Sequence, residues 1–126
     1  MSKTVIYSAN APDPIGPYSQ AIQAGNFLFI SGQIAIQKST GNLITHNIEA
    51  ETQQVMLNLA EILKAAGMDF SHVVKSTIFL KDFSDFAAVN ATYGKAFSSH
   101  PPARETVEVS RLPKDVNLEI SCIAMK

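Results

Sequence analysis

The run "FLFIS", residues 27–31, is apolar on both of its alternating sides, the pattern of a strand that is covered from above and below. The rest of the chain offers little to do the covering. Helical periodicity occurs twice: Val55, Leu59, Ile62, Leu63 and Ala66 share a stripe between Asn47 and Gly67, and Phe86, Val89, Asn90, Tyr93 and Phe97 share another from about Ser84 to Phe97. Two helices can blanket one face of a sheet. The other face needs a partner, and with 17% charged residues the chain has a sparse exterior for a small monomer. Oligomerisation through the sheet is the simplest solution.

Asn47 reads as the N-cap of the first helix and Gly67 as its stop. Strands are predicted over 19–24 and 27–31, in "HVVKSTIFLK" with Val74, Ile78 and Leu80 on one face and Lys75, Thr77 and Phe79 on the other, near 104–109, and over 116–124. This order predicts an α+β layer structure: a mixed sheet with two helices on one face, in a single domain spanning residues 1–126.

Ten basic and eleven acidic residues, with lysines scattered from Lys3 to Lys126, leave no electrostatic footprint for phosphate backbones, so nucleic acid is not the expected partner. The opening "MSKTVIYSAN" lacks the apolar run of a signal peptide, and no segment has membrane-spanning length; a soluble cytoplasmic protein is expected. The single cysteine, Cys122, alternates with Leu118, Ile120 and Ala124 on an apolar face and reads as a packed thiol. His46, His72 and His100 lack the short spacings of a metal site.

Each candidate for chemistry has two readings. Arg104 is a bidentate carboxylate clamp or a solvated strand-end arginine. Glu119, opposite in phase to Leu118, Ile120 and Cys122, is a general acid or base or an exposed carboxylate. Gly32 offers its backbone N–H to an anion or merely ends a strand, and Tyr18, after Gly16-Pro17, aims a hydroxyl into a cleft or lids the core. Asn90, on an apolar stripe, needs hydrogen-bond partners. Ser31 and Thr106 are strand hydroxyls with no Ser-His-Asp set around them. A hairpin about Pro113 would pair Val107 with Glu119 and put Arg104 on the opposite face. Either the two last strands are not neighbours or the site is completed across a subunit boundary.

Taken together, "IGPYSQAI", "FISGQIA", "DFAAVNATYGKAF", "PPAR" and "VSRLPKDVNLEI" resemble the Rid family of reactive imine and enamine deaminases, formerly the YjgF family, over almost the whole chain. The resemblance implies a fold like the Bacillus-type chorismate mutase, assembled as a homotrimer with clefts between subunits. In that fold the last strand lies between "FLFIS" and "HVVKSTIFL" and the Arg104 strand lies outside, which answers the hairpin problem. It implies hydrolysis of 2-imino acids such as 2-iminopropanoate and 2-iminobutanoate to 2-oxo acids and ammonia, without a metal or organic cofactor.

By the same resemblance Arg104 clamps the substrate carboxylate, Gly32 offers its backbone and Glu119 activates water, while Tyr18, Ser31 and Asn90 line or brace the cleft. Thr106 stands where many members carry cysteine, which disfavours a covalent thiol mechanism, and "SSHPPAR" is short against relatives. A different class of function keeps the same cleft: a trimeric module that binds 2-oxo or amino acids without turnover. A ribonuclease or translation-inhibitor role has been attributed to members of the family, and the balanced charge here gives it little support.

Overall fold

The computed structural model of the chain describes residues 2–126. Strands β1 (Thr4–Ile6), β2 (Ala21–Ala24), β3 (Phe27–Gln33), β4 (Val73–Leu80), β5 (Ala103–Glu108) and β6 (Leu118–Met125) accompany helices α1 (Ile48–Ala65) and α2 (Phe86–Gly94). The strands form one six-stranded sheet in the order β1-β2-β3-β6-β4-β5. β4 and β5 are parallel and joined through α2, and the other pairings are antiparallel. This is the mixed α+β sheet expected, with the last strand between β3 and β4 and the Arg104 strand at the edge. β1 is an addition: three residues carry too few alternations to show a period.

Local chemistry sets the helix ends. Asn47 Oδ1 accepts the Ala50 N–H at 2.7 Å, satisfying a donor the first turn leaves orphaned. At the other end Gly67 takes φ +72°, and the N–H groups of Gly67 and Met68 return to the carbonyls of Lys64 and Leu63, each at 2.9 Å. Glycine reaches that left-handed closure without steric cost. α2 is shorter than the predicted 84–97. A 3₁₀ turn over Phe83–Asp85 precedes it, and the N–H groups of Lys95, Ala96 and Phe97 reach back three residues, tightening the chain out of the helix.

Both helices pack on one face of the sheet. Val55, Leu59, Ile62 and Leu63 from α1 and Val89 and Tyr93 from α2 meet Leu28, Ile30, Ile78, Leu80, Leu118 and Ile120 in the main core, where each fully buried leucine or isoleucine favours folding by roughly 1.5–3 kcal/mol. Cys122 is buried among them, as its alternation predicts, and burial pushes its thiol up to about 11. The expected placing of Val74 on this face is corrected: Val73 pairs with Ala124 and Lys75 with Ile123. The extra residue is a bulge that turns Val74 outward and hands the core position to Val73.

The opposite face is bare over β1, β2 and β3. Val5 is 59% exposed and Phe29 46%, and the rings of Phe27 and Phe29 lie 6.2 Å apart there. At its other end a smaller core forms from Ile34, Leu112 and Val116, with Phe79 packed against it. Among the described residues no helix is long and apolar enough to cross a membrane.

Candidate active site

Glu119 pairs in register with Phe79 of β4, so its side chain leaves the sheet on the face without helices. Beside it β3 is irregular. Ile30 pairs with Cys122 and Gln33 with Ile120, so the intervening Ser31 and Gly32 bulge against a single residue of β6. Ser31 fastens the bulge to the segment before β2: its N–H donates to the Gln20 carbonyl at 2.9 Å and its hydroxyl to the Ser19 carbonyl at 2.6 Å. Gly32 faces the carboxylate. A Cβ there would stand 1.9 Å from Glu119 Oε2 and 2.7 Å from Cδ, so the missing side chain is what admits the acid. Gly32→Ala is expected to displace the carboxylate by about an ångström and to slow any reaction that uses it by roughly 10²-fold while the fold persists; the check is the rate of such a reaction beside an unchanged circular dichroism spectrum.

The carboxylate looks into a small pocket that opens to solvent, walled by Pro14, Ile15, Tyr18, Gly32, Ile34 and Pro113. Tyr18 Oη accepts the Ile15 N–H at 3.2 Å, which holds the ring at the mouth and leaves the hydroxyl proton free for another acceptor. Two supports of this pocket lie inside the motifs "IGPYSQAI" and "VSRLPKDVNLEI" but are not singled out by residue type. Buried Gln20 donates from its amide nitrogen to the carbonyls of Ser8, Ala11 and Pro12 and accepts the Ser8 N–H at 2.6 Å, pinning the Pro-rich loop over the pocket. Pro113 is held by a strained turn, in which Lys114 (φ +55°) and Asp115 (φ +57°) are both left-handed, at about 1–2 kcal/mol each. Arg111 donates to both Asp115 oxygens, at 2.7 and 3.4 Å.

Burial raises the Glu119 carboxyl above its ordinary 4.5, because desolvation penalises the charged form. A raised carboxyl stabilises the fold in its protonated state, below the unfolded pKa, and that contribution is lost as pH rises through the folded one. Glu119→Gln is therefore expected to raise Tm at pH 7 and leave it little changed at pH 4. An equal Tm difference at both pH values would contradict this.

Arg104 lies elsewhere. It pairs with Ser76 of β4, and since Ser76 and Phe79 have opposite parity on that strand, Arg104 and Glu119 project from opposite faces of the sheet. The strand order separates them without bringing them together. Arg104 sits instead against α2, with its guanidinium carbon 5.1 Å from the centre of the Tyr93 ring and 5.7 Å from that of Phe86. Thr106, two residues along the same face, has a buried hydroxyl with no hydrogen-bond partner, and Asn90 on α2 is half-buried. The chain thus presents the candidate residues in two separate groups on opposite faces of the sheet: Tyr18, Ser31, Gly32 and Glu119 in one, Arg104, Thr106 and α2 in the other. No group of three or more His, Cys, Asp or Glu among the described residues could hold a metal ion.

The family model described as endoribonuclease L-PSP matches residues 8–126. The chain belongs to this family, the Rid family. This Rid chain is 55% identical to a RutC family protein of Pyrococcus horikoshii, over 98% of each chain. It is 46% identical to Reactive Intermediate Deaminase A, chloroplastic, of Arabidopsis thaliana, over 98% of its own length and 66% of that protein. Among solved structures, E. coli TdcF with bound serine superposes with a TM-score of 0.92 at 36% identity, over 98% of both chains.

Proposed function

We propose that this Rid protein hydrolyses reactive 2-imino acids, 2-iminopropanoate and 2-iminobutanoate with their enamine tautomers, to 2-oxo acids and ammonia in clefts between the subunits of a cytoplasmic homotrimer. The observation that carries the reading is the half-buried carboxylate of Glu119 set against the bare backbone of Gly32 in an open pocket. The parity of Arg104 and Glu119 supports a shared cleft, because a neighbour's Arg104 half-site docked on the bare sheet face is the arrangement that joins them. The family's deaminase member and the serine bound to TdcF, a small amino acid carboxylate, support the ligand class.

The chemistry follows from the groups. Arg104 fixes the substrate carboxylate through two parallel hydrogen bonds, with the Thr106 segment and Asn90 bracing that end of the cleft. Glu119, its basicity raised by burial, takes a proton from water as the oxygen bonds to the imine carbon. Glu119 then passes that proton to the nitrogen of the carbinolamine, the C–N bond breaks as ammonia leaves, and the carbinol hydroxyl gives its proton back to Glu119 as the carbon–oxygen double bond forms. Gly32 presents backbone and Tyr18 a hydroxyl donor at the mouth. The ten basic and eleven acidic residues supply no phosphate-tracking surface for the ribonuclease named in the family description.

The test couples a threonine dehydratase to the purified protein and follows 2-oxobutanoate release where spontaneous hydrolysis is slow. Wild type is expected to accelerate release, and Arg104→Ala and Glu119→Ala to abolish the acceleration. No acceleration by folded wild type across several 2-imino acids would leave a ligand-binding module in its place.

A further inference from the structure

Arg104 is held ready without an ionic partner. Among the described residues no carboxylate lies within ion-pair distance of its guanidinium, although an arginine on a strand edge ordinarily finds an acid or bulk water. Its neighbours are the rings of Tyr93 and Phe86, at 5.1 and 5.7 Å, within the range where an aromatic face attracts a cation. An aromatic face differs from a carboxylate in one decisive respect: it attracts the charge without consuming the planar fork of N–H donors. All of those donors stay available to a ligand.

Tyr93 is itself anchored. Its hydroxyl donates to Ser76 Oγ at 2.9 Å, deep in the core, and Ser76 Oγ lies 3.6 Å from Cys122 Sγ. The ring also packs on Phe97 at 4.8 Å between centroids. Ser76 is the residue of β4 that stands in register with Arg104 on β5. The contacts therefore close a loop: strand pairing links Arg104 to Ser76, a hydrogen bond links Ser76 to Tyr93, and the Tyr93 ring returns to Arg104. A phenol bonded to the serine beside the arginine has its ring held in place by the sheet, since swinging the side chain about its first torsion would break that bond inside the core, and the Phe97 ring packed against it limits how the ring plane turns.

We propose that Tyr93 is a positioning residue for Arg104: its ring, placed by its packing on Phe97 and by its hydroxyl on Ser76, orients the guanidinium before a ligand arrives and leaves its donors unspent for an incoming carboxylate. The proposal rests on the reading of Arg104 as the carboxylate clamp. It assigns Tyr93 no contact with the reacting atoms. The effect belongs to carboxylate binding, and the chemical step at the imine carbon is left alone.

The experiment compares Tyr93→Leu, which loses ring and hydroxyl, with Tyr93→Phe, which keeps the ring. The readouts are kcat and KM for imine hydrolysis in the wild-type background, and the Kd of 2-oxobutanoate by calorimetry in both the wild-type and Arg104→Ala backgrounds. Tyr93→Leu is expected to raise KM and Kd by about 3- to 30-fold with little change in kcat. Tyr93→Phe restores most of that loss, and neither change has a further effect once Arg104 is alanine. A fall in kcat at constant KM, or an undiminished loss in the Arg104→Ala background, would reduce Tyr93 to core packing. Should Arg104→Ala itself leave the Kd of 2-oxobutanoate unchanged, the clamp reading fails. The orienting contact is then judged by the Nε–H resonance of Arg104, whose ring-current shift must vanish in Tyr93→Leu; a resonance that stays in place overturns the proposal.

Discussion

Trimers assembled from equal amounts of Arg104→Ala and Glu119→Ala subunits are expected to recover about a quarter of wild-type deaminase activity, although each variant alone loses about 10²–10⁴-fold. In the proposed closed ring every cleft would take its Arg104 half from one subunit and its Glu119 half from the next. A cleft is intact when the first subunit carries the glutamate lesion and the second the arginine lesion, and random assembly makes that combination in about one cleft in four. The expectation follows from strand parity: Arg104 pairs with Ser76, Glu119 with Phe79, and the two leave the sheet on opposite sides. Differently tagged subunits, co-expressed and purified through both tags, supply the mixed species free of the inactive homotrimers, and in these the expected recovery rises from about a quarter to about a third, since every mixed ring holds a single intact cleft. Confirmed mixed trimers without activity would mean that the halves do not meet across a boundary.

Glu51→Ala is expected to lower stability by about 3–5 kcal/mol, a fall in Tm of about 10–20 °C for a chain of this size. Glu51 lies in the first turn of α1 and is 0% exposed. Its Oε2 accepts the N–H groups of Asn117 and Leu118 at 2.8 and 3.2 Å, and its Oε1 accepts Asn117 Nδ2 at 2.7 Å. Alanine removes the acceptor for all of these donors at the start of β6 and leaves them in a dry place. Glu51→Gln keeps one carbonyl oxygen for the backbone and should lose less. Thermal unfolding at one fixed protein concentration, because association shifts Tm, separates the variants. A fall of only a few degrees in Glu51→Ala would show that the helix does not hold the strand that carries Glu119.

What could be read in the sequence was local and periodic. Asn47 and Gly67 mark the ends of α1 by their own conformational preferences, and alternation along 116–124 places Glu119 opposite the apolar row. Val74 is misplaced by the same alternation, because a bulge changes phase without a residue type to announce it. The position of β6 between β3 and β4 is invisible to patterning, which sees only that two strands flank a turn; the family motifs supplied it. Gln20 and Glu51 were illegible for a different reason. Their partners are backbone groups far along the chain, and every residue but proline offers the same N–H and carbonyl. The candidate site divides in the same way: its candidate residues could be singled out by type, while the proline loop, the left-handed turn and the aromatic bed of Arg104 are products of packing.

The bare sheet face around Phe29 has a consequence for how the protein behaves in dilute solution. If separate subunits own half-sites and only association completes a cleft, then the rate per subunit obeys mass action: it holds steady above the association threshold and falls steeply with dilution below it. Below that threshold the total rate would rise with more than the first power of protein concentration, so halving the amount of protein would cost more than half of the rate.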